Sequence, residues 1–130
     1  MDIAKFLDKK TTFAVIGASN NPEKFGFRIF RAVKEAGFKV YAINYKETLI
    51  QGEKAYATIT DLPEKVAVLN FVVPPSISLG ITEKAYTLGY RTFWYQPGSF
   101  DQSILDFHQN KDTQVISDKC LLEEASKLIH

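Results

Sequence analysis

Between Phe13 and Phe30 the chain reads FAVIGASNNPEKFGFRIF, an apolar run that halts at Gly17, crosses small and polar residues, and resumes at helical spacing. A glycine directly after a strand lets the chain turn tightly and lets a ligand approach the backbone. Ala18 and Ser19 keep that approach open, and the unsatisfied amides at the start of the following helix attract an anion. Lys24 adds a mobile positive charge, and Phe25 and Gly26 complete the loop. Such a sequence suits a phosphate. It is not a full dinucleotide fingerprint, because Ser19 stands where the second glycine would fall and the next glycine is Gly26. It is not a P-loop either, since the chain contains no GKS or GKT. The competing structural role for Gly17 and Gly26 is to permit a turn and close helix packing.

The end of the second apolar run separates cofactors. An NAD site places Asp or Glu there to hold the ribose hydroxyls, whereas this chain has Asn44, then Tyr45 and Lys46. A neutral tip beside a cation tolerates an extra phosphate, which leaves phosphorylated adenosines open, among them NADP and coenzyme A. Catalytic or metal-binding groups are scarce. There is no nucleophile elbow and no HExxH. The single Cys120 cannot form an internal disulfide or, with two distant histidines, a zinc site. His108 falls on a predicted helix and His130 is the last residue, so both read as surface histidines.

Five β-rich runs alternating with helical ones must position these residues. The strands are read at Thr11 to Ile16, Phe38 to Asn44, Val66 to Val73, Tyr90 to Tyr95 and Thr113 to Ser117. Helices are read at Phe25 to Ala36, Ser78 to Leu88, Asp101 to Asn110 and Leu121 to Ile129, with a Gly52-containing excursion after the second strand. This alternation predicts an α/β fold: a single-domain, Rossmann-like, doubly wound sheet of five mainly parallel strands with helices on both faces. Ligands in such sheets bind beyond the carboxyl ends of the strands. Five loops should therefore share one rim: Gly17 to Phe25, Asn44 to Lys46, Val73 to Ser76, Gln96 to Ser99 and Ser117 to Cys120.

With 130 residues, 45% of them apolar and 24% charged, the chain is sized and composed for one globular domain, residues 1–130, with 1–10 as a lead-in. A net charge of +1 gives no broad basic field for nucleic acid and no polybasic tract for a membrane. Trp94 and Tyr95 accordingly read as core or rim residues, not stacking platforms for nucleic acid. No signal-peptide pattern and no apolar run approaching about 20 residues is present, so a cytoplasmic location is expected.

Six segments in order, VIGAS (Val15 to Ser19), YAIN (Tyr41 to Asn44), IQGEKAYATITDLPEKV (Ile50 to Val66), VVPP (Val72 to Pro75), FWYQPG (Phe93 to Gly98) and SDKC (Ser117 to Cys120), carry a family resemblance. The chain resembles the CoA-binding proteins of bacteria and archaea, similar to the amino-terminal domain of the succinyl-CoA synthetase alpha subunit, from Thr11 to about Leu128. The resemblance implies coenzyme A as ligand, with Gly17, Ala18, Ser19 and Lys24 at its phosphates and Asn44 near its adenosine end. Val73, Pro74 and Pro75 would pack on adenine or the pantetheine arm, and Gln96 and Gly98 would border the pocket. Phe25, Gly26, Lys46 and Cys120 belong to the same candidate set. Two departures from the family pattern are Tyr45, where a proline is common, and Ala67, where Asp is common. Cys120 is either a packing cysteine or a partner for the CoA thiol in a mixed disulfide.

The expected function is thus non-catalytic binding of CoA or a CoA thioester through the loop after the first strand, with a redox link through Cys120. A small-molecule ligand is the expected partner, with no nucleic acid and no membrane. The alternatives are an NADP-type dinucleotide-binding oxidoreductase fragment and an interaction subunit with a vestigial nucleotide pocket.

Overall fold

Thr12–Ile16 (β1) is the apolar run before Gly17, and the computed structural model, which describes residues 3–129, sets it at the centre of one sheet. β1 pairs in parallel with Lys39–Ile43 (β2) on one side and with Val68–Phe71 (β5) on the other. All four residues of β5 are buried, the pattern of a strand covered on both faces. Thr92–Tyr95 (β6) and Gln114–Ile116 (β7) continue the parallel sheet beyond β5.

Among the described residues there are seven strands instead of the five read from sequence, in the order β3-β4-β2-β1-β5-β6-β7. The additional pair, Leu49–Ile50 (β3) and Glu53–Tyr56 (β4), comes from the Gly52 excursion; β3 and β4 pair antiparallel, and β4 joins β2 in parallel. Gln51 and Gly52 link them with φ of 51° and 82°. Two successive positive φ angles are what a tight hairpin demands, and only the glycine announces it in the sequence. The order reverses between β1 and β5, so the doubly wound topology has its switch point at the Gly17 loop.

Helices cover both faces. Phe25–Glu35 (α1) and Leu121–Ser126 (α4) lie on one, where Val15, Val68, Trp94, Ile29, Phe30 and Leu121 form a core that also takes in Phe6 from the lead-in. Pro75–Thr87 (α2) and Gln102–His108 (α3) lie on the other, over Ile16, Leu69, Phe71, Phe93, Tyr95 and Ile104. α2 starts three residues earlier than the predicted Ser78: Pro74 is its N-cap and Pro75 its first residue. Proline suits that position because its missing N–H has no acceptor in a first helical turn. Asp101 caps α3, its carboxylate accepting from the Ile104 N–H at 3.2 Å. Among the described residues no helix is long and apolar enough to cross a membrane.

The two glycines of the first loop are held by packing. Gly17 has φ 103°, and a Cβ there would lie 3.0 Å from Val73 Cγ1. Gly26, in the first turn of α1, lies so close to β1 that a Cβ would lie 1.9 Å from the Gly17 carbonyl oxygen. The close-packing role therefore holds for both, whatever else they do.

His108 is not on the surface. It is 8% exposed, and its Nε2 is 2.8 Å from the Tyr95 hydroxyl, itself 2.8 Å from Thr82 Oγ1; Nδ1 is 2.8 Å from Thr113 Oγ1. Burial, with a smaller effect of Lys111, pushes the His108 pKa down from 6.5 to about 4. Burial raises the Tyr95 hydroxyl well above its ordinary value. His130 lies outside the described residues.

Two outcomes follow. The unfolded chain takes up the His108 proton near pH 6.5 and the folded one only near pH 4, so stability falls as pH drops through that window. The loss should be on the order of 2 kcal/mol; urea unfolding at pH 7 and pH 4.5 should show it in the wild type and not in His108→Gln, and equal slopes in the two proteins would reject it. Gly26→Ala should lower stability by about 2–4 kcal/mol through backbone overlap, read as a drop in Tm. An unchanged Tm would mean that the α1–β1 approach can relax.

Candidate functional site

A cleft of about 880 Å³ opens at the carboxyl ends of the parallel strands, and all five expected loops contribute to it. Gly17, Ala18, Ser19, Lys24, Phe25, Gly26, Asn44, Lys46, Val73, Pro74, Gln96, Gly98 and Cys120 all line it. Pro75 does not: as the first residue of α2 it belongs to the helix that covers the other face. Glu23, Tyr45, Pro97 and Ser99 also line it, within the expected rim loops though not singled out there, and Val72, Leu122 and Glu123 line it from outside those loops.

Strand order fixes how these groups succeed one another. From β2 to β7 the rim presents Asn44–Tyr45–Lys46, then the Gly17 loop, then Val72–Pro74, then Gln96–Ser99, then Cys120. Four interstrand steps of about 4.8 Å make this about 19 Å from end to end.

At the β2 end the polar side chains are tied to main chain. Asn44 Nδ2 donates to the Ala18 carbonyl at 2.9 Å, and its Oδ1 accepts from the N–H groups of Lys46 and Glu47 at 2.8 and 2.9 Å. Asn44 is a bracket between two loops as well as a lining residue. Ser19 Oγ accepts from the Asn21 N–H at 2.9 Å, and Asn21 Oδ1 from the Glu23 N–H at 3.0 Å. Asn20 reaches the hairpin: its Nδ2 donates to the Leu49 carbonyl at 2.9 Å and its Oδ1 accepts from the Gln51 N–H at 2.7 Å. Gln51 returns the contact, its Nε2 donating to the carbonyls of Phe27 at 3.0 Å and Ser19 at 3.3 Å. Asn20 and Gln51 thus clamp the Gly17 loop from outside, a pairing across 31 positions that no local motif signals.

Charge at this end is mixed. Lys24 and Lys46 share a side annex of about 430 Å³ with Ser19, Asn20, Asn21, Asn44 and Glu47, and Glu23 lies on the main cleft. Lys24 makes no ion pair with any described residue, so its ammonium is available to an incoming anion.

The β7 end is built on carboxamides. Gln96 is 3% exposed; its Oε1 accepts from the Leu121 N–H at 2.9 Å, which turns its Nε2 toward Cys120 Sγ at 3.2 Å. Asn70, fully buried, donates Nδ2 to the same Oε1 at 3.4 Å while its Oδ1 has no hydrogen-bond partner. Trp94 Nε1 donates to the Lys119 carbonyl at 2.9 Å and pins the loop before α4. Cys120 is half-buried, on the cleft, and precedes α4 as its N-cap. Gly98 has φ 87° and open space where a Cβ would be, so the wall there is bare backbone.

A family model for the CoA binding domain matches residues 11–126. The alpha subunit of ADP-forming acetate–CoA ligase II from Pyrococcus furiosus is 47% identical over 62 residues, a stretch covering 47% of this chain and 14% of that subunit. An uncharacterized protein of Bacillus subtilis, YneT, is 22% identical over 120 residues, covering 92% of this chain and 89% of its own length. The solved structure of a conserved hypothetical protein from Pyrococcus furiosus superposes with a TM-score of 0.83 at 32% identity, over 88% of this chain and 98% of that one. The chain therefore corresponds to a small part of the ligase subunit and to nearly all of the two other relatives. On its sequence and its fold together, the chain belongs to the CoA binding domain family.

Proposed function

We propose that the cleft binds coenzyme A in one direction, with the adenosine at the β2 end, the phosphates over the Gly17 loop, the pantetheine arm along Val73, Pro74 and Gly98, and the thiol at Cys120. The order of chemistry along the rim carries this reading: aromatic ring and lysines, then a glycine loop at a helix start, then an apolar and bare-backbone wall, then a sulfur. That is the order of groups in CoA itself, and a span of about 19 Å suits its length. Lys24 and the first amides of α1 would meet the phosphates. The relatives named for acetate–CoA ligation share only part of this chain, so binding is carried over and ligation is not.

Within that reading the protein acts as a CoA holder and not as a catalyst, the Cys120 sulfur in the cleft having the Gln96 carboxamide as its hydrogen-bond partner. Its chemistry is thiol–disulfide exchange. The Cys120 sulfur attacks one sulfur of a CoA disulfide, the new S–S bond replaces the old one, and a single CoA thiol leaves with the proton. Cys120 is oxidised in that step and one CoA half is reduced.

Calorimetric titration of the reduced protein with CoA, dephospho-CoA, NAD and NADP tests the ligand. CoA should bind tightest; preference for NADP would point to the oxidoreductase alternative, and silence from all four to the interaction-subunit alternative. Lys24→Ala should weaken CoA by about 1–2 kcal/mol, the size of one charge-assisted hydrogen bond, and less so at high salt. For the sulfur, mass spectrometry after exposure to CoA disulfide should find one adduct, absent in Cys120→Ser and much slower to form with glutathione disulfide. Equal rates with the two disulfides would discard a directed thiol and leave an ordinary exposed cysteine.

A further inference from the structure

Tyr45 is the most exposed of the large apolar side chains among the described residues, at 77%, and it stands on the wall of the cleft. An aromatic ring left in water at the mouth of a binding cleft has most of its apolar surface still to bury. Its placement is fixed by its neighbours. Asn44 Oδ1 gathers the N–H groups of Lys46 and Glu47, and Asn44 Nδ2 is tied to the Ala18 carbonyl, so Tyr45 is carried at the tip of a turn braced against the Gly17 loop. β2 and β1 are adjacent strands, which puts that turn about one interstrand spacing, roughly 5 Å, from the loop.

We propose that Tyr45 is the base-stacking surface of the site: the ring on which the adenine of the bound nucleotide lies, so that the base is held by its π-face and its hydrogen-bonding edge is left unread. The assignment rests on the CoA reading for its ligand, but Tyr45 itself stands where the family pattern has proline. Two observations favour a face over an edge. The side chains suited to reading an edge are engaged with main chain, Ser19, Asn20, Asn21 and Asn44 each accepting a backbone N–H. The ring also has an ammonium, Lys46 Nζ, 5.4 Å from its centroid, on one face. The opposite face remains for a base, while the same ammonium lies within reach of the nucleotide's phosphates in the shared annex. Stacking tolerates any flat heteroaromatic ring, so discrimination at this end should come from the phosphates and not from the identity of the base.

The test uses the whole chain and three probes, CoA, 4′-phosphopantetheine, which lacks the base, and 1,N6-etheno-CoA, whose adenine edge is blocked. Tyr45→Ala should keep the wild-type Tm, because the ring is exposed, and lose roughly 5- to 100-fold in affinity for CoA. Its affinity for 4′-phosphopantetheine should match the wild type, and Tyr45→Phe should bind all three probes like the wild type. Etheno-CoA should bind the wild type within about threefold of CoA. In Tyr45→Trp, CoA should quench indole emission above the constant signal of buried Trp94, and 4′-phosphopantetheine should not. The assignment is overturned by a Tyr45→Ala variant that binds CoA normally, by one that loses both CoA and 4′-phosphopantetheine equally, or by a tenfold loss for etheno-CoA. A wild type that binds no CoA removes the CoA reading itself and the stacking role with it, which separates the two failures.

Discussion

The contact on which the site depends is between the Gly17 carbonyl and the first turn of α1. With Gly26 so near that a single added carbon would overlap that oxygen, the helix starts directly against the end of β1. The residues between, Ser19 to Lys24, then loop outward over the rim, while Ala18 stays buried beneath them. The same approach puts Phe25 and Gly26, the first two residues of α1, on the wall of the cleft. Gly17 completes the arrangement from the sheet side, turning with φ 103° beneath Val72 and Val73 at the end of β5. A glycine here thus serves the fold first, and the open backbone that a phosphate needs is a consequence of how closely helix and strand approach.

A loop released in this way has to be held by something, and side-chain carboxamides hold it. Asn20 and Gln51 fasten its outer edge to the β3–β4 hairpin, and Asn44 fastens its root to the turn after β2. The hairpin is therefore more than an edge extension of the sheet. Its left-handed Gln51 places one amide across the carbonyls of Ser19 and Phe27, on both sides of the loop. Because these groups are engaged with the protein, what remains to meet a ligand is of another kind: main-chain amides, two lysines, two exposed rings, a sulfur and the carboxylates of Glu23 and Glu123.

The legible parts of this structure were those governed by continuous apolar runs and by glycine and proline punctuation. FAVIG announces a buried central strand and the loop that follows it, and VLNF with its four buried residues could only lie in the middle of a parallel sheet. Strand alternation then brought the five loops to one rim without any knowledge of contacts. The hairpin was not legible, because β3 has two residues and β4 begins with Glu53 and Lys54, so neither shows a run or a period. His108 was misread for a related reason. Its helix is only seven residues long, and the partner that draws it inward, the hydroxyl of Tyr95, lies on the far side of a loop. The two prolines of VVPP hid a boundary, since the residue pair that ends a strand also begins α2, and Pro75 went with the helix.

The end of β6 shows how the fold separates two polar systems that would otherwise compete. Side chains alternate along a strand, so Tyr95 and Gln96 leave the sheet on opposite sides. Tyr95 joins Thr82 and His108 beneath α2 and α3, where burial holds the imidazole uncharged down to about pH 4 and raises the phenol above its ordinary value. Gln96 joins Asn70, Leu121 and Cys120 under the cleft. Here the carboxamide cannot turn over, because the Leu121 N–H requires an oxygen and only the other end is left to face the sulfur. Asn70 secures that orientation from below with a long hydrogen bond and leaves its own Oδ1 buried without a partner. A buried unsatisfied carbonyl costs about 1–3 kcal/mol. An apolar residue on β5 would avoid that cost and would also leave the Gln96 oxygen with one donor instead of two. The stability forgone at Asn70 is thus tied to the direction of an N–H at the floor of the site, where the orientation of one amide decides what a sulfur beside it meets.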